Sequence, residues 1–506
     1  MTHTSKALGI IFLYLLFCTW IFWRHQKKNM ASGTGQTDNR LRDHNSLLVA
    51  YASQTGHAEA LARKTAESLK SAGVDTEILP LSAMEAATLQ TFNRILFVAS
   101  TTGEGDAPNN AADFQQSVMQ SDIKLPHLQY GILALGDSGY SFFCGFGHAL
   151  DAWLQHAHAM PLFDLIEVDH LDDGALRHWQ YQLGLLAHNT EMPDWEAPAY
   201  QPWSLTARIL VNPGSAGAPV FHLTLSAQPS VMQWQAGDIA EVGPRNSPQA
   251  VAQFLATLPL DGNVPVNGEG LPLKEALLDK LLPHDEADWK MLSGLDAATI
   301  VQTLKRLPHR EYSIASIPQD QQLELLVRQT HYPDGRLGIG SGWLTSYADI
   351  GNEVALRIRE NSAFHAPATD MPLILIGNGT GIAGLRAHLK ARIAQGHHRN
   401  MLIFGERNAA HDFYFQEELR QWQAQGVLTT LVTAFSRDQA ERVYVQDKVK
   451  SLAGEIRQWV QQGAAIYVCG SASGMAPAVH QQLLEILGDA TMATLTASAR
   501  YRRDVY

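Results

Sequence analysis

Short apolar runs recur along the chain, and most of them end in loops of small and polar residues. Leu47-Leu48-Val49-Ala50-Tyr51-Ala52-Ser53 leads into Gln54-Thr55-Gly56-His57-Ala58. Leu61, Thr65, Ser68 and Leu69 then fall at helical spacing, which predicts a helix from about Glu59. Two further runs repeat the arrangement. Arg94–Ser100 passes into Thr101–Pro108, and Tyr130–Gly136 into Asp137–Cys144. Apolar strands alternating with helices predict a parallel sheet covered on both faces. Its loops at the strands' carboxyl ends would converge on one pocket. A strand, a Gly- and hydroxyl-bearing loop and a helix N-terminus together suit a phosphate.

The pattern changes after Pro193. Leu205–Val211, Val220–Leu225 and Gly237–Val242 alternate as strands of an antiparallel barrel. From about 247 to 307 the spacing turns helical. Gln249–Leu258, Leu273–Leu282 and Ala297–Leu304 are the expected helices, inserted into that barrel. A strand over 372–376 then enters the Gly-rich loop 377–383, and further strands end at Phe404-Gly405-Glu406-Arg407 and at Ile466–Gly470. About three domains fit a chain of 506 residues.

Ala7–Trp23 is an uncharged apolar run of 17 residues, at the short end of the roughly 17–25 that cross a bilayer. Lys6 precedes it, and Arg24, Lys27 and Lys28 follow. This bias keeps the following chain cytoplasmic. The rival readings are a cleaved signal peptide, whose charges belong before the run, and a buried helix. The polar stretch 29–46 reads as a flexible tether. The net charge of −12 excludes non-specific nucleic-acid binding. Between 47 and 190 stand 6 Lys+Arg and 16 Asp+Glu, a net of −10 that serves solubility or steers a basic redox partner. Cys18, Cys144 and Cys469 have the spacing of neither a zinc cluster nor a disulfide framework.

The first three loops resemble those of flavodoxin. The resemblance implies that Ser53, Gln54, Thr55, Gly56, His57 and Ala58 hold an FMN phosphate. It further implies that Thr101, Thr102, Gly103, Gly136, Asp137, Tyr140 and Phe143 flank the flavin, with Tyr140 stacked on it. His57 stands where that family has Asn, Ser or Thr, and Thr102 where microsomal members carry an aromatic. Arg310–Ser316 and Gly338–Leu344 resemble the FAD-binding segments of ferredoxin–NADP reductases. Arg310 would pair with the pyrophosphate, Tyr312 pack on the flavin and Ser313 bond near its N5. Gly338, Gly340 and Ser341 would form the second FAD loop. By the same resemblance Gly379, Thr380 and Gly381 form the NADPH loop, with Asn378 and Gly384 standing where the family has Pro. The segment Ser436–Gln446 offers Ser436, Arg437, Arg442 and Tyr444, cations and hydroxyls that a 2′-phosphate needs, with Gln446 completing the motif. Arg442 replaces the family's Lys. Ser313, Cys469 and Asp504 match the trio that assists hydride transfer, and Tyr506 the terminal aromatic over the FAD ring. Ser471 departs from the usual Asp.

The motif order FMN, FAD, NADPH over 47–506 resembles the diflavin reductase family, which includes NADPH–haemoprotein reductases and sulfite reductase flavoproteins. The expected organisation is an anchor at 1–28, a tether at 29–46 and a flavodoxin-like α/β FMN domain at 47–190. A FAD-binding barrel at 200–365, with an abbreviated helical insertion at 247–307, and an α/β NADPH domain at 366–506 follow. The resemblance implies an NADPH-dependent oxidoreductase passing electrons through FAD and FMN to a haem, sirohaem or other one-electron acceptor protein. The alternatives are the flavoprotein component of a sulfite reductase, a membrane ferric-chelate reductase and a flavin-free scaffold. With the anchor, the expected location is the cell inner membrane, single-pass, with cytoplasmic catalytic domains.

Overall fold

The computed structural model describes residues 47–506 except 55, 103–104, 196–198, 259, 267–269, 285, 362–363, 368 and 473. Strand β1 (Leu47–Ala52) is apolar and almost wholly buried, as a strand covered on both faces must be. With β2 (Thr76–Pro80), β3 (Arg94–Ser100), β4 (Gln129–Gly136), β5 (Met160–Pro161) and β6 (Ile166–Asp169) it forms a parallel sheet in the order β2-β1-β3-β4-β5. β6 also pairs with β4, so two short segments together flank one side of β4. That strand order is the flavodoxin type, in which the ligand crevice lies beyond the carboxyl ends. Helix His57–Ser71 buries Leu61, Thr65 and Leu69, three of the positions marked by the sequence.

The second layer is antiparallel. β7 (Gln201–Leu210), β8 (Val220–Ser226), β9 (Ile239–Gly243), β12 (Arg310–Ser313), β13 (Leu323–Arg328) and β14 (Glu353–Arg359) run in the order β12-β9-β14-β7-β8-β13. Ile314, just after β12, bridges Leu325 of β13, so the two ends of that order meet and close the barrel. Between β9 and β12 lie the hairpin β10 (Pro265–Val266) and β11 (Leu271–Pro272) and four helices. Pro248–Thr257 and Ala297–Thr303 match two of the expected helices. The middle one is short, Leu273–Ala276. Its continuation pairs instead with the chain before β12: Leu281 N–H donates to Lys305 O at 2.8 Å and Leu307 N–H to Asp279 O at 2.8 Å. Helix Glu286–Leu292 has no counterpart in the sequence reading: it is seven residues long, and Glu286, Asp288 and Lys290 alternate with its apolar residues. The insertion has its own small core around Phe254, Leu273, Leu277 and Ile300.

The last layer is a parallel sheet of β15 (Leu373–Asn378), β16 (Asn400–Glu406), β17 (Thr430–Phe435), β18 (Ala465–Gly470) and β19 (Tyr501–Val505), in the order β17-β16-β15-β18-β19. The flavodoxin-like part docks on the other two through helix Asp173–Leu186. One face of that helix sends Trp179 and Leu183 into its own core. The other sends Arg177 to Glu241 on β9 and His178 to Glu311 on β12. Arg503 of β19 reaches Asp164.

The expected anchor and tether lie outside the described residues. The expectation of a single-pass inner-membrane protein is corrected: among the described residues no helix is long and apolar enough to cross a membrane. The longest, His57–Ser71, has 15 residues and a charged face, against about 20 apolar residues for a span.

Candidate functional site

Two regions gather the expected residues. The first lies at the carboxyl ends of β1, β3 and β4. Gly56 adopts φ +93° and opens helix His57–Ser71, whose first turn carries no side-chain cap. A helix N-terminus of this kind suits an anion. Ser53 Oγ accepts the Gly56 N–H at 3.0 Å, and the Ser53 N–H donates to Asn110 Oδ1 at 2.8 Å. The first loop is thus tied to the segment after the second. The second and third loops also touch: a Cβ on Gly105 would stand 2.7 Å from Phe142 Cβ. Thr102 Oγ1 donates to the Asp106 and Ala107 carbonyls, closing its loop. Thr101 Oγ1 is buried without a partner, as a group awaiting a ligand would be. In the third loop Asp137 Oδ1 accepts the Gly139 N–H at 2.8 Å and its other oxygen faces His170 at 3.1 Å. Tyr140 is 49 % exposed and Phe142 66 %, while Phe143 packs against the domain core. Phe142 is thus the exposed ring next to Tyr140 in this loop, and Phe143 the partly buried one. Thr55 and Gly103 lie outside the described residues. Gly136 faces Cys144, whose thiol burial pushes up to about 12, so it stays protonated and donates to Ala134 O at 3.2 Å. An open aromatic patch beside an uncapped helix N-terminus fits a flavin mononucleotide.

The second region is one cleft of about 1110 Å³ between the barrel and the C-terminal sheet. At its barrel end Arg310 donates to His309 O at 2.7 Å and to Thr190 O, with no carboxylate partner among the described residues. Its charge is left for an anion. A Cβ on Gly340 would lie 2.4 Å from Arg310 Cγ and 2.8 Å from Tyr312 Oη, so glycine is needed for the loop to lie against these two side chains. Gly338 similarly faces Thr330 Oγ1 at 2.2 Å. Ser341 Oγ shares a hydrogen bond with Thr330 Oγ1 at 2.8 Å. Charge, aromatic and glycine loop together fit FAD. Tyr181 and Thr190, from the helix and segment that close the flavodoxin-like part, also line the cleft. The sequence reading missed them, because Tyr181 is four residues after Arg177 on a face that reads as solvated.

At mid-cleft, Ser313 Oγ donates to Asp504 Oδ2 at 2.9 Å and Cys469 Sγ points at the same oxygen from 3.6 Å. Burial, reinforced by the Asp504 charge, pushes the Cys469 thiol well above its usual value, so it is a neutral donor. Burial also raises the Asp504 carboxyl, against the Ser313 hydrogen bond that lowers it. Tyr506 is held by its backbone: its N–H donates to Gly470 O at 3.0 Å and its oxygen accepts from Ala472 N. Its hydroxyl lies 3.4 Å from Thr380 Oγ1, and the residue is 40 % exposed.

The far end is the Gly-rich loop after β15. Gly379 has φ +59°, and a Cβ on Gly381 would sit 2.3 Å from Cys469 O. Asn378 Oδ1 accepts the Ser471 N–H at 2.9 Å, so two of the sequence's departures pair with each other. Beyond it, Ser436 N–H and Oγ both reach Glu406 O, at 2.9 and 3.3 Å. Ser436, Tyr444 and Gln446 line the cleft. Arg437 and Arg442 are exposed, with no carboxylate partner among the described residues. An unpaired cation set beside a serine fits a phosphorylated nucleotide.

Comparison with known proteins gives a consistent picture. The flavodoxin family matches residues 49–179, and the oxidoreductase NAD-binding domain family matches 375–481. The sulfite reductase [NADPH] flavoprotein alpha-component of Vibrio vulnificus is 31 % identical over 91 % of this chain and 87 % of its own. That of Vibrio cholerae is 31 % identical over 96 % and 92 %. That of Photobacterium profundum is 30 % identical over 91 % and 89 %.

Proposed function

The chain belongs to the diflavin reductase family, with the sulfite reductase [NADPH] flavoprotein alpha-components as its relatives, and from that premise we propose that it delivers electrons to a haem or sirohaem partner protein. It is an NADPH-dependent oxidoreductase whose cofactors are FMN, FAD and NADPH. We assign 47–190 to FMN, 200–365 to FAD and 366–506 to NADPH. The observation that carries this reading is the one cleft lined by Arg310, Ser313 and Ser436, with Asp504 and Cys469 joined to Ser313 beside it.

When bound, the nicotinamide supplies a hydride and the flavins supply one- and two-electron transfer. The chain's own residues bind and orient. Ser53, Gly56 and the first turn of helix His57–Ser71 hold the FMN phosphate by hydrogen bonds and dipole. Tyr140 and Phe142 cover ring faces. Arg310 neutralises the FAD pyrophosphate, and Gly338 and Gly340 let the backbone approach it. Asp504 fixes the Ser313 hydroxyl and the neutral Cys469 thiol, so that both would present dipoles rather than charges to a bound nicotinamide. Tyr506, with its half-exposed ring, would cover that surface. Ser436, Arg437 and Arg442 select the 2′-phosphate.

The excess of acidic residues over 47–190 supports a basic surface on the partner. The sulfite reductase reading is favoured by the naming of the relatives. An anaerobic NADPH titration of the full chain, followed by flavin absorbance and by reduction of an added sirohaem subunit, tests both steps. Bleaching of FMN and FAD with transfer to the subunit supports the reading. Bleaching of FAD alone overturns the relay, and bleaching of both without transfer overturns the partner.

A further inference from the structure

The turn after β6 holds an uncommon backbone. His170 and Leu171 take φ +48° and +60° in succession, and neither is glycine. Left-handed backbone is rare in residues that carry a side chain, and two in a row persist only where the surroundings hold them. What holds this turn is the third loop of the flavodoxin-like part. His170 N–H donates to Gly136 O at 3.1 Å, and Asp169 accepts from the Ser138 N–H at 2.9 Å and from the Ser138 hydroxyl at 2.5 Å. The ends of β4 and β6 are thereby tied together.

The His170 ring makes the last tie. Its Nδ1 faces Asp169 Oδ1 at 2.6 Å and its Nε2 faces Asp137 Oδ2 at 3.1 Å. A neutral imidazole carries one N–H and can donate to only one of these oxygens. Donating to both takes the imidazolium. The charged groups against the ring are Asp137 from the third loop and Asp169 from its own turn. The Asp169 hydrogen bond, followed by the charges of Asp137 and Asp169, raises the His170 pKa above its ordinary 6.5. Farther along the turn, Asp172 is taken by Arg357 and by the Ala175 N–H.

The third loop folds on Asp137. Its Oδ1 accepts the Gly139 N–H at 2.8 Å, and its carbonyl accepts the Tyr140 N–H at 3.1 Å. A Cβ on Gly139 would stand 2.9 Å from the same Oδ1, so the loop closes tightly on that carboxylate. A shift of the Asp137 side chain therefore moves the backbone that carries Tyr140.

We propose that His170 is a positioning residue for FMN: as an imidazolium it bridges Asp137 and Asp169 and so holds the loop bearing Tyr140 in the form that takes the flavin. The proposal rests on the reading of the third loop as a flavin loop. Because the folded pKa is raised, the bridge is complete below 6.5 and is lost as pH rises through the folded value. The bond to Asp169 is the shorter, so the one to Asp137 is the one that goes.

The test is FMN binding, by flavin fluorescence quenching, to the FMN-depleted full chain and to H170N and D137N, with retained FAD as the check on folding. Measurements at about pH 7 and about pH 9 keep the FMN phosphate a dianion throughout, since its second pKa is about 6. The wild type should bind about fivefold more weakly at the higher pH, the upper end for an exposed ion pair. Asparagine suits left-handed backbone, so H170N keeps the turn and loses only the bridge. It should bind at pH 7 as the wild type does at pH 9, with no pH dependence, and D137N should also be flat. Three outcomes overturn the proposal. They are a flat wild-type profile, wild-type affinity in H170N at pH 7, or a pH dependence that survives in H170N. The last would move the effect to His148, which pairs with Glu167 at 2.8 Å in the same part of the chain. If H170N does not retain FAD, the D137N profile decides by the same criterion. If the wild type takes up no FMN at either pH, the flavin reading of the loop fails and the proposal falls with it, whereas uptake with a flat profile sinks the proposal alone.

Discussion

Ser313 on the barrel and Asp504 on the last strand meet side chain to side chain at 2.9 Å, across the join between two sheets. Each is fixed by its own strand, β12 or β19, so the bond fixes the C-terminal sheet against the barrel at this point of the cleft. S313A removes the donor, and D504N keeps the shape but loses the charge. Misplacement of reacting atoms by about 1 Å costs up to about 100-fold in rate. Both variants are therefore expected to slow NADPH-driven flavin bleaching in stopped flow, by roughly 10- to 100-fold, with coenzyme affinity little changed. An unchanged bleaching rate in either variant would remove the cluster from the chemistry.

Tyr506 presents the opposite balance. Its backbone is anchored at both ends of the residue while its hydroxyl lies 3.4 Å from Thr380 Oγ1, a long contact. The ring can therefore leave without moving β19. On the proposal that Tyr506 covers the flavin, Y506A removes a ring that the nucleotide must displace, and NADP⁺ should bind about tenfold tighter, the worth of one aromatic contact. Equilibrium titration measures this. Weaker binding would mean that the ring helps to hold the nucleotide rather than excluding it.

What the sequence reveals and what it hides divide along physical lines. The FMN, FAD and nucleotide loops are readable because each is local: an apolar strand, then Gly, Ser and Thr where backbone must approach a ligand. The closing of the barrel through Ile314 and Leu325 is a contact between sheet ends, with no local signature. Arg177 and His178 look like a solvated helix face, since a partner strand cannot be seen from the helix that carries its counter-charge. Choosing between Phe142 and Phe143 depends on which ring the core accepts. Arg407 is one arginine after a strand until Gly217, 190 residues earlier, is brought against it. The apolar run Ala7–Trp23 invited a membrane reading that the described helices do not support.

His309 gives a pH prediction. Its ring nitrogens face Asp194 at 2.8 Å and Glu311 at 3.3 Å, and it is 1 % exposed. Burial by itself lowers its pKa, but the two carboxylates outweigh burial and lift it to about 9, against 6.5 unfolded. Glu241 stands close by, and Arg177 and Arg359 face it in turn. Because the folded value is raised, the stabilisation is complete below pH 6.5 and is lost as pH rises through about 9. Urea unfolding should show a loss on the order of 3 kcal/mol across that window in the wild type. H309Q should flatten the window. An equal slope in both proteins would assign the effect to other groups.

The Arg177–Glu241 pair is the buried ionic contact between the flavodoxin-like part and the barrel, at 3.3 Å with side chains 3 % and 0 % exposed. Taking two charges out of water costs more than an isolated pair returns, but breaking the pair from one side costs more still. Glu241 keeps Arg359 at 3.6 Å and Arg357 at 3.9 Å, and one of its oxygens lacks any hydrogen bond. R177L should therefore destabilise the protein by about 3 kcal/mol, the lower end for a broken buried pair, because those two arginines remain. In the double variant R177L/E241L the under-paired carboxylate is gone, apolar side chains of similar reach fill the contact, and Arg359 and Arg357 keep Glu311 at 3.2 Å and Asp172 at 3.9 Å. Most of the lost stability should return, and with it the docking of helix Asp173–Leu186 on β9. Denaturant unfolding of the three proteins measures this. A double variant as unstable as R177L would mean that the arginine works through packing, not through its charge.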